Sequence, residues 1–187
     1  FFLFISFLSK QIPSAYLLVL TIIFIFIYKI TLSPKSNKFF SYLIFGSVSS
    51  LFLFFTVIII NDIPLSNFLI QYLFYPLDIG NSRGSNISFD LNTIIFQFKF
   101  IYFSLIPLIL ISSVVFKNIK KTENKTDLLI IIFICLSVIV FIYSQIMTKN
   151  QILIFFLIPF CLGVSNFFAK KYFDNKLLTA FIFFILI

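Results

Sequence analysis

Histidine and tryptophan are absent from the 187 residues, and arginine occurs once, as Arg83. Without histidine, the side chain that most often moves protons near neutral pH is missing, so His-based catalysis and His metal ligation within this chain are excluded. Charged residues make up only 11%, against about a quarter in a soluble domain, whose helices each need a wet face. The two cysteines, Cys135 and Cys161, both fall inside apolar runs with no second ligand nearby. Neither a disulfide nor a metal site is expected from them. No Asp, Glu or Arg stands in the middle of an apolar run, and Lys29 is close enough to the end of its run to snorkel. Proton relays and ion-coupled pumps need ionisable groups within the membrane, so this absence counts against them. No motif for a cofactor is evident, and the sequence decides nothing about a divalent metal.

What is present is apolar. Hydrophobic residues account for 61% of the chain and aromatic residues for 21%, with 31 phenylalanines. Runs of about 20 such residues cross a hydrocarbon layer of roughly 30 Å. The expected fold is therefore an all-α, polytopic transmembrane helix bundle. A barrel would show short alternating segments instead. Seven spans are expected, at 1–8, 15–32, 40–60, 100–116, 128–147, 151–169 and 177–187, the first and last truncated. "FFLFISFL" reads as the tail of a span and "LLTAFIFFILI" stops within one, so a single transmembrane domain cut from a longer protein is expected. The wealth of Phe, Ile, Lys and Asn is that of an AT-rich coding sequence and is read as mutational bias.

Basic residues orient the spans. One set of connections carries Lys29, Lys35, Lys38, Lys117, Lys120, Lys121, Lys125, Lys170, Lys171 and Lys176, and the other carries Lys10, Arg83, Lys99 and Lys149. Ten against four, alternating along the chain, predicts that the first set faces the cytoplasm. The net charge of +8 is then a topology signal, and no nucleic-acid partner is expected.

The segment 61–99 falls on the outer side. In "NDIPLSNFLIQYLFY", Leu65, Phe68, Leu69, Tyr72 and Leu73 recur at helical spacing, opposite Ser66, Asn67 and Gln71. A helix near 63–75 lying in the membrane surface is expected, capped by Asn61 or Asp62, with Pro64 in its first turn. "DLNTIIFQFKF" repeats the pattern near 91–98, with Asp90 as a candidate cap and Leu91, Ile94, Ile95 and Phe98 as the stripe. Between them "PLDIGNSRGSNISFD" is read as a polar loop whose Gly80 and Gly84 let the backbone turn sharply. Asn86-Ile-Ser88 and Asn124-Lys-Thr126 match glycosylation sequons, as chance allows in an Asn-rich chain. "KNIKKTENKTD" reads as an ordinary cytoplasmic turn of mixed charge.

Two polar groups are candidates for chemistry. Arg83 offers a fork suited to phosphate, with Asp78 to orient it; the alternative is a capping loop in which both are merely solvated or paired. Lys149, Asn150 and Gln151 share one tight outer turn, with Gln145 one helical turn deeper. They are suited to a phosphate and neighbouring sugar hydroxyls. The alternative is a polar hairpin with a snorkelling lysine. Gly163, Ser165 and Asn166 read as close helix packing, and Pro107 and Pro159 as kinks.

"YLFYPLDIGNSRGSN…LNTIIFQFKFIYFSLIPLILI" resembles the late outer loop and following span of bacterial multispanning glycosyltransferases of the GT-C class. "SQIMTKNQILIFFLIPFCLGVS" resembles a later hairpin of the same proteins, relatives of the protein mannosyltransferases and aminoarabinose transferases. The two stretches cover under half of the chain. The resemblance implies an integral membrane enzyme of the bacterial inner membrane. Such an enzyme moves a sugar from a polyprenyl-phosphate donor to a lipid, glycan or protein acceptor on the outer face. It implies carrier and acceptor contacts from Arg83, Lys149, Asn150, Gln151 and Asp78. The catalytic acid is expected upstream, in a first outer loop, and Asp62, Asp78 and Asp90 are not assigned to it. Competing readings are a transporter or flippase of lipid-linked glycans, a glycan polymerase or ligase with a larger outer loop, and an organelle-encoded respiratory subunit.

Overall fold

A computed structural model of the chain describes residues 6, 11–32, 38–84, 90–119, 121–148 and 154–173. Among the described residues every regular element is helical. They are α1 Gln11–Leu32, α2 Lys38–Ile60, α3 Leu65–Leu69, a π-helical turn Ile70–Phe74, α4 Tyr75–Gly84, a second π-helical turn Asn92–Phe96, α5 Lys99–Lys117, α6 Thr122–Thr148 and α7 Leu157–Tyr172. Among the described residues four helices are long and apolar enough to cross a membrane, over Pro13–Leu32, Ser41–Ile60, Lys99–Lys117 and Thr122–Met147. They coincide with the spans expected at 15–32, 40–60, 100–116 and 128–147. The span expected at 151–169 is represented by α7, whose 16 residues fall just short of the roughly 17–25 that a crossing takes. Those expected at 1–8 and 177–187 lie outside the described residues, Ser6 apart.

The chain divides into two units, Phe1–Ile23 with Ser33–Ile87, and Phe24–Leu32 with Ser88–Ile187. In the second, α5 packs against both α6 and α7. Its inward stripe is Phe98, Ile101, Leu105, Leu108, Ile111 and Val115, all buried at steps of three and four residues. Ile131, Val138 and Ile142 of α6 and Leu157, Cys161, Leu162 and Phe168 of α7 complete this core. Phe24 adds an edge-on contact to Phe133, with ring centroids 5.1 Å apart. Pro107 is buried inside α5. Pro159 kinks nothing, contrary to the expectation, because α7 begins at Leu157. In that first turn the amide that proline lacks would have had no helical partner anyway.

In the first unit α1 and α2 leave Ile22, Phe45 and Phe52 exposed, as lipid-facing helices do and water-facing helices do not. Their hydroxyls are satisfied locally: Thr21 bonds back to the Leu17 carbonyl, Ser50 to Gly46 and Thr56 to Phe52. This is how a span carries Ser and Thr without leaving a donor orphaned in hydrocarbon. Lys29 stands in the last turn of α1, where its stem can reach the interface and its charge complements the helix dipole.

The end of α2 departs from the sequence reading. Asn61 and Asp62 do not cap the next helix; they terminate the previous one. Asp62 takes a left-handed conformation with φ 48°. Its N–H reaches the Ile59 carbonyl, and the Ile63 N–H reaches Ile58. That pair of bonds is a Schellman stop, a position that glycine usually fills. The Asn61 side chain donates to the Val57 carbonyl at 2.8 Å, so it too serves α2. Pro64 is left as the residue that precedes α3, with no side-chain cap.

Candidate functional site

Of the residues singled out in the sequence, Asp78 and Arg83 stand on one helix, not in a loop. The polar stretch from Pro76 continues helically to Gly84 as α4, and no described glycine has positive φ. The physical reason lies one turn earlier. A proline inside an α-helix clashes with the carbonyl four residues before it. The chain widens ahead of Pro76 into the π turn Ile70–Phe74, with Tyr75 N–H bonding to the Ile70 carbonyl, and so continues where an α-helix would break. Asp78 is exposed. Arg83 follows it by five positions, off the three- or four-residue spacing that brings helical side chains together. The Arg83 side chain, and all of Lys149, Asn150 and Gln151, lie outside the described residues. Gln145, one turn before that turn, is buried with Oε1 unbonded.

One concave site was not foreseen. A groove of about 710 Å³ runs between the last turns of α2 and the first turns after the Schellman stop. Leu53, Phe54, Val57 and Ile58 form its α2 wall, with Phe68 and Tyr72 across from them. Phe68 meets Phe54 edge to face at 4.7 Å and stacks on Tyr72 at 4.6 Å. Asn61, Asp62, Asn67 and Gln71 supply a polar lining, and all four are exposed. Three amides, one carboxylate and stacked aromatic rings beside an apolar wall form an amphipathic surface. Amides both donate and accept, and a carboxylate accepts in pairs, which suits a ligand rich in hydroxyl groups. The wall suits a hydrocarbon chain. Asp62 occupies its place at a conformational cost of about 1–2 kcal/mol. The Schellman stop accounts for this conformation, and it places the carboxylate in the groove lining.

The second unit holds a polar cluster that the sequence reading passed over as a turn. Asn124 and Asp127, one helical turn apart at the start of α6, are both buried. The Tyr172 hydroxyl, at the end of α7, is shared between the Asp127 carboxylate and Asn124 Oδ1 at 3.1 Å. Asn124 Nδ2 donates to the Asn118 carbonyl at 2.6 Å, and Lys171 Nζ lies 2.5 Å from Asp127. One network thus ties the ends of three helices, and each buried polar group in it has a partner, as burial requires. Partial burial, the bond to Asp127 and the negative charges of Asp127 and Glu123 hold the Tyr172 hydroxyl well above its ordinary range. Asn124 is thereby committed to the interior, which removes its sequon as a glycosylation site; Asn86 lies outside the described residues. Above the network opens a cleft of about 680 Å³ lined by Lys117, Lys121 and Lys171 with Glu123. Among the described residues no three His, Cys, Asp or Glu side chains gather as metal ligands.

No family model, curated protein or solved structure matches this chain.

Proposed function

We propose that the chain belongs to an integral membrane glycosyltransferase that takes a sugar from a polyprenyl-phosphate carrier, and that the groove between α2 and α3 holds the lipid-linked sugar. In this reading the chain contributes seven spans to a bacterial plasma-membrane enzyme, with residues 61–99 on the outer face. The observation that carries the proposal is the strained Asp62 among Asn61, Asn67 and Gln71, beside the Phe54, Phe68 and Tyr72 rings. Hydroxyl-matching groups next to an apolar wall fit a molecule that is sugar at one end and hydrocarbon at the other. The groove lies where a span ends at Ile60, the level at which such a carrier changes from chain to headgroup. The catalytic acid is assigned to a part of the enzyme outside this chain. Arg83 and Lys149, with Asn150 and Gln151, are the proposed phosphate and hydroxyl contacts, on the strength of the sequence resemblance.

The test uses the absence of tryptophan. Phe68→Trp places a single indole in the groove, and a polyprenyl-phosphate hexose titrated into the purified protein in neutral detergent should change its fluorescence saturably. Asn67→Ala and Gln71→Ala should each weaken that binding about tenfold, the loss expected when a polar ligand group is left unpaired. A response matched by a polyprenol without phosphate and sugar would show hydrocarbon binding alone and sink the proposal. In the complete enzyme Arg83→Ala should impair donor use more than Arg83→Lys. Binding of the lipid-linked sugar without transfer to any acceptor would favour the flippase reading.

A further inference from the structure

The lysine-lined cleft in the second unit is independent of the groove, and its chemistry is different. Lys117 stands in the last turn of α5, Lys121 just before α6, and Lys171 in the last turn of α7. Lys171 is engaged with Asp127, whereas Lys117 and Lys121 form no ion pair among the described residues. Asp127 is not part of the lining. It is neutralised by Lys171 and bonded by Tyr172, so among the described residues Glu123 is the only acidic group in a lining that holds three lysines. Asn118, Asn124 and Tyr172 complete the lining. The cleft is also placed at a definite depth. The span Lys99–Lys117 ends at its rim and the span Thr122–Met147 begins there, so it opens at the level of lipid headgroups.

We propose that this cleft binds the phosphate of an anionic phospholipid headgroup, with Lys117 and Lys121 as the charge contacts and Lys171 shared between the lipid and Asp127. Basic pockets between helix ends at the membrane surface attract such headgroups electrostatically. Two lysines converging on one cleft add a geometric preference that a diffuse charged surface lacks. The carboxylate of Glu123 opposes the ligand and sets a moderate affinity. The buried Tyr172–Asp127–Asn124 network keeps the three helix ends in register, so the cleft is preformed.

Native mass spectrometry of the protein in neutral detergent tests this, with phosphatidylglycerol, phosphatidylcholine and inorganic phosphate as separate probes. The wild type should retain phosphatidylglycerol and not phosphatidylcholine. Lys117→Gln and Lys121→Gln should each reduce that retention roughly fivefold, and the pair roughly thirtyfold. Neither side chain belongs to the buried network, so thermal unfolding should be unchanged and a folding defect would be visible separately. Glu123→Gln should strengthen retention. If inorganic phosphate is retained and phosphatidylglycerol is not, the site takes a free anion and the lipid assignment is overturned. Equal retention of both phospholipids, or indifference to the two lysine substitutions, overturns the phosphate site altogether.

Discussion

Tyr172, at the end of α7, donates a hydrogen bond from its phenolic hydroxyl to the Asp127 carboxylate, 45 positions earlier on α6. This pairing joins two helices whose apolar faces alone would let them slide, because hydrocarbon-like contacts carry little directional information. Removal of one partner leaves the other buried and short of a bond. Tyr172→Phe should therefore lower stability by about 1–3 kcal/mol, the range for losing a hydrogen bond to a charged group. Lys171→Ala should cost less than about 1 kcal/mol, since Lys171 is 41% exposed and water screens its pair with Asp127. Thermal unfolding in detergent ranks the two.

The same pairing predicts a pH dependence. The Tyr172 hydroxyl holds its proton more tightly in the folded chain than in the unfolded one, whose value is near 10.0. Its contribution is complete below that pH and is lost as pH rises towards the folded value, where the unfolded state gives up the proton first. Unfolding midpoints should fall above about pH 10, and Tyr172→Phe should flatten the decline. Ultraviolet titration of phenolate should show one tyrosine ionising after the rest.

Asp62 should be worth more to function than to stability. Asp62→Gly relieves the left-handed strain at φ 48° and should stabilise the chain by about 0.5–1 kcal/mol. It should at the same time weaken the binding of a polyprenyl-phosphate hexose to the groove. A variant that is more stable and binds unchanged would reduce Asp62 to a helix stop.

Pro76 sets the width of the turn before it. Pro76→Ala restores an amide and removes the clash with the preceding turn, so Ile70–Phe74 should tighten towards α-helical bonding. Hydrogen exchange across Tyr72–Tyr75 should slow. The tightening rotates α4 about its axis relative to α3, and a cysteine at position 78 should change its accessibility to a water-soluble thiol reagent.

The apolar run lengths made the four crossing-length helices legible from the sequence. They did not reveal which face packs inward. On α5 the buried Ile101, Leu105 and Leu108 alternate with exposed Phe103, Ile106 and Ile109, and both sets are equally apolar, so no periodicity separates them. Pro76, Gly80 and Gly84 spelled a loop by composition, yet a π turn let the helix run through all three. The groove stayed hidden because Asn61 and Asp62 read as caps for α3; nothing local says that a non-glycine residue will take the left-handed stop. The Tyr172–Asp127–Asn124 network joins residues far apart in the chain. The one available hint was Asn124 and Asp127 at a three-residue spacing, which sets two polar side chains on one helix face.

The most direct test of the proposed groove is photo-labelling. A polyprenyl-phosphate hexose with a photoreactive group near the sugar, applied to the protein in native-like bilayers, should mark peptides that contain Phe54 to Tyr72. Unlabelled lipid-linked sugar should compete the label away, and polyprenol should not. Label confined to α5, α6 or α7, or label that unlabelled donor cannot displace, would contradict the assignment of this groove to a lipid-linked sugar.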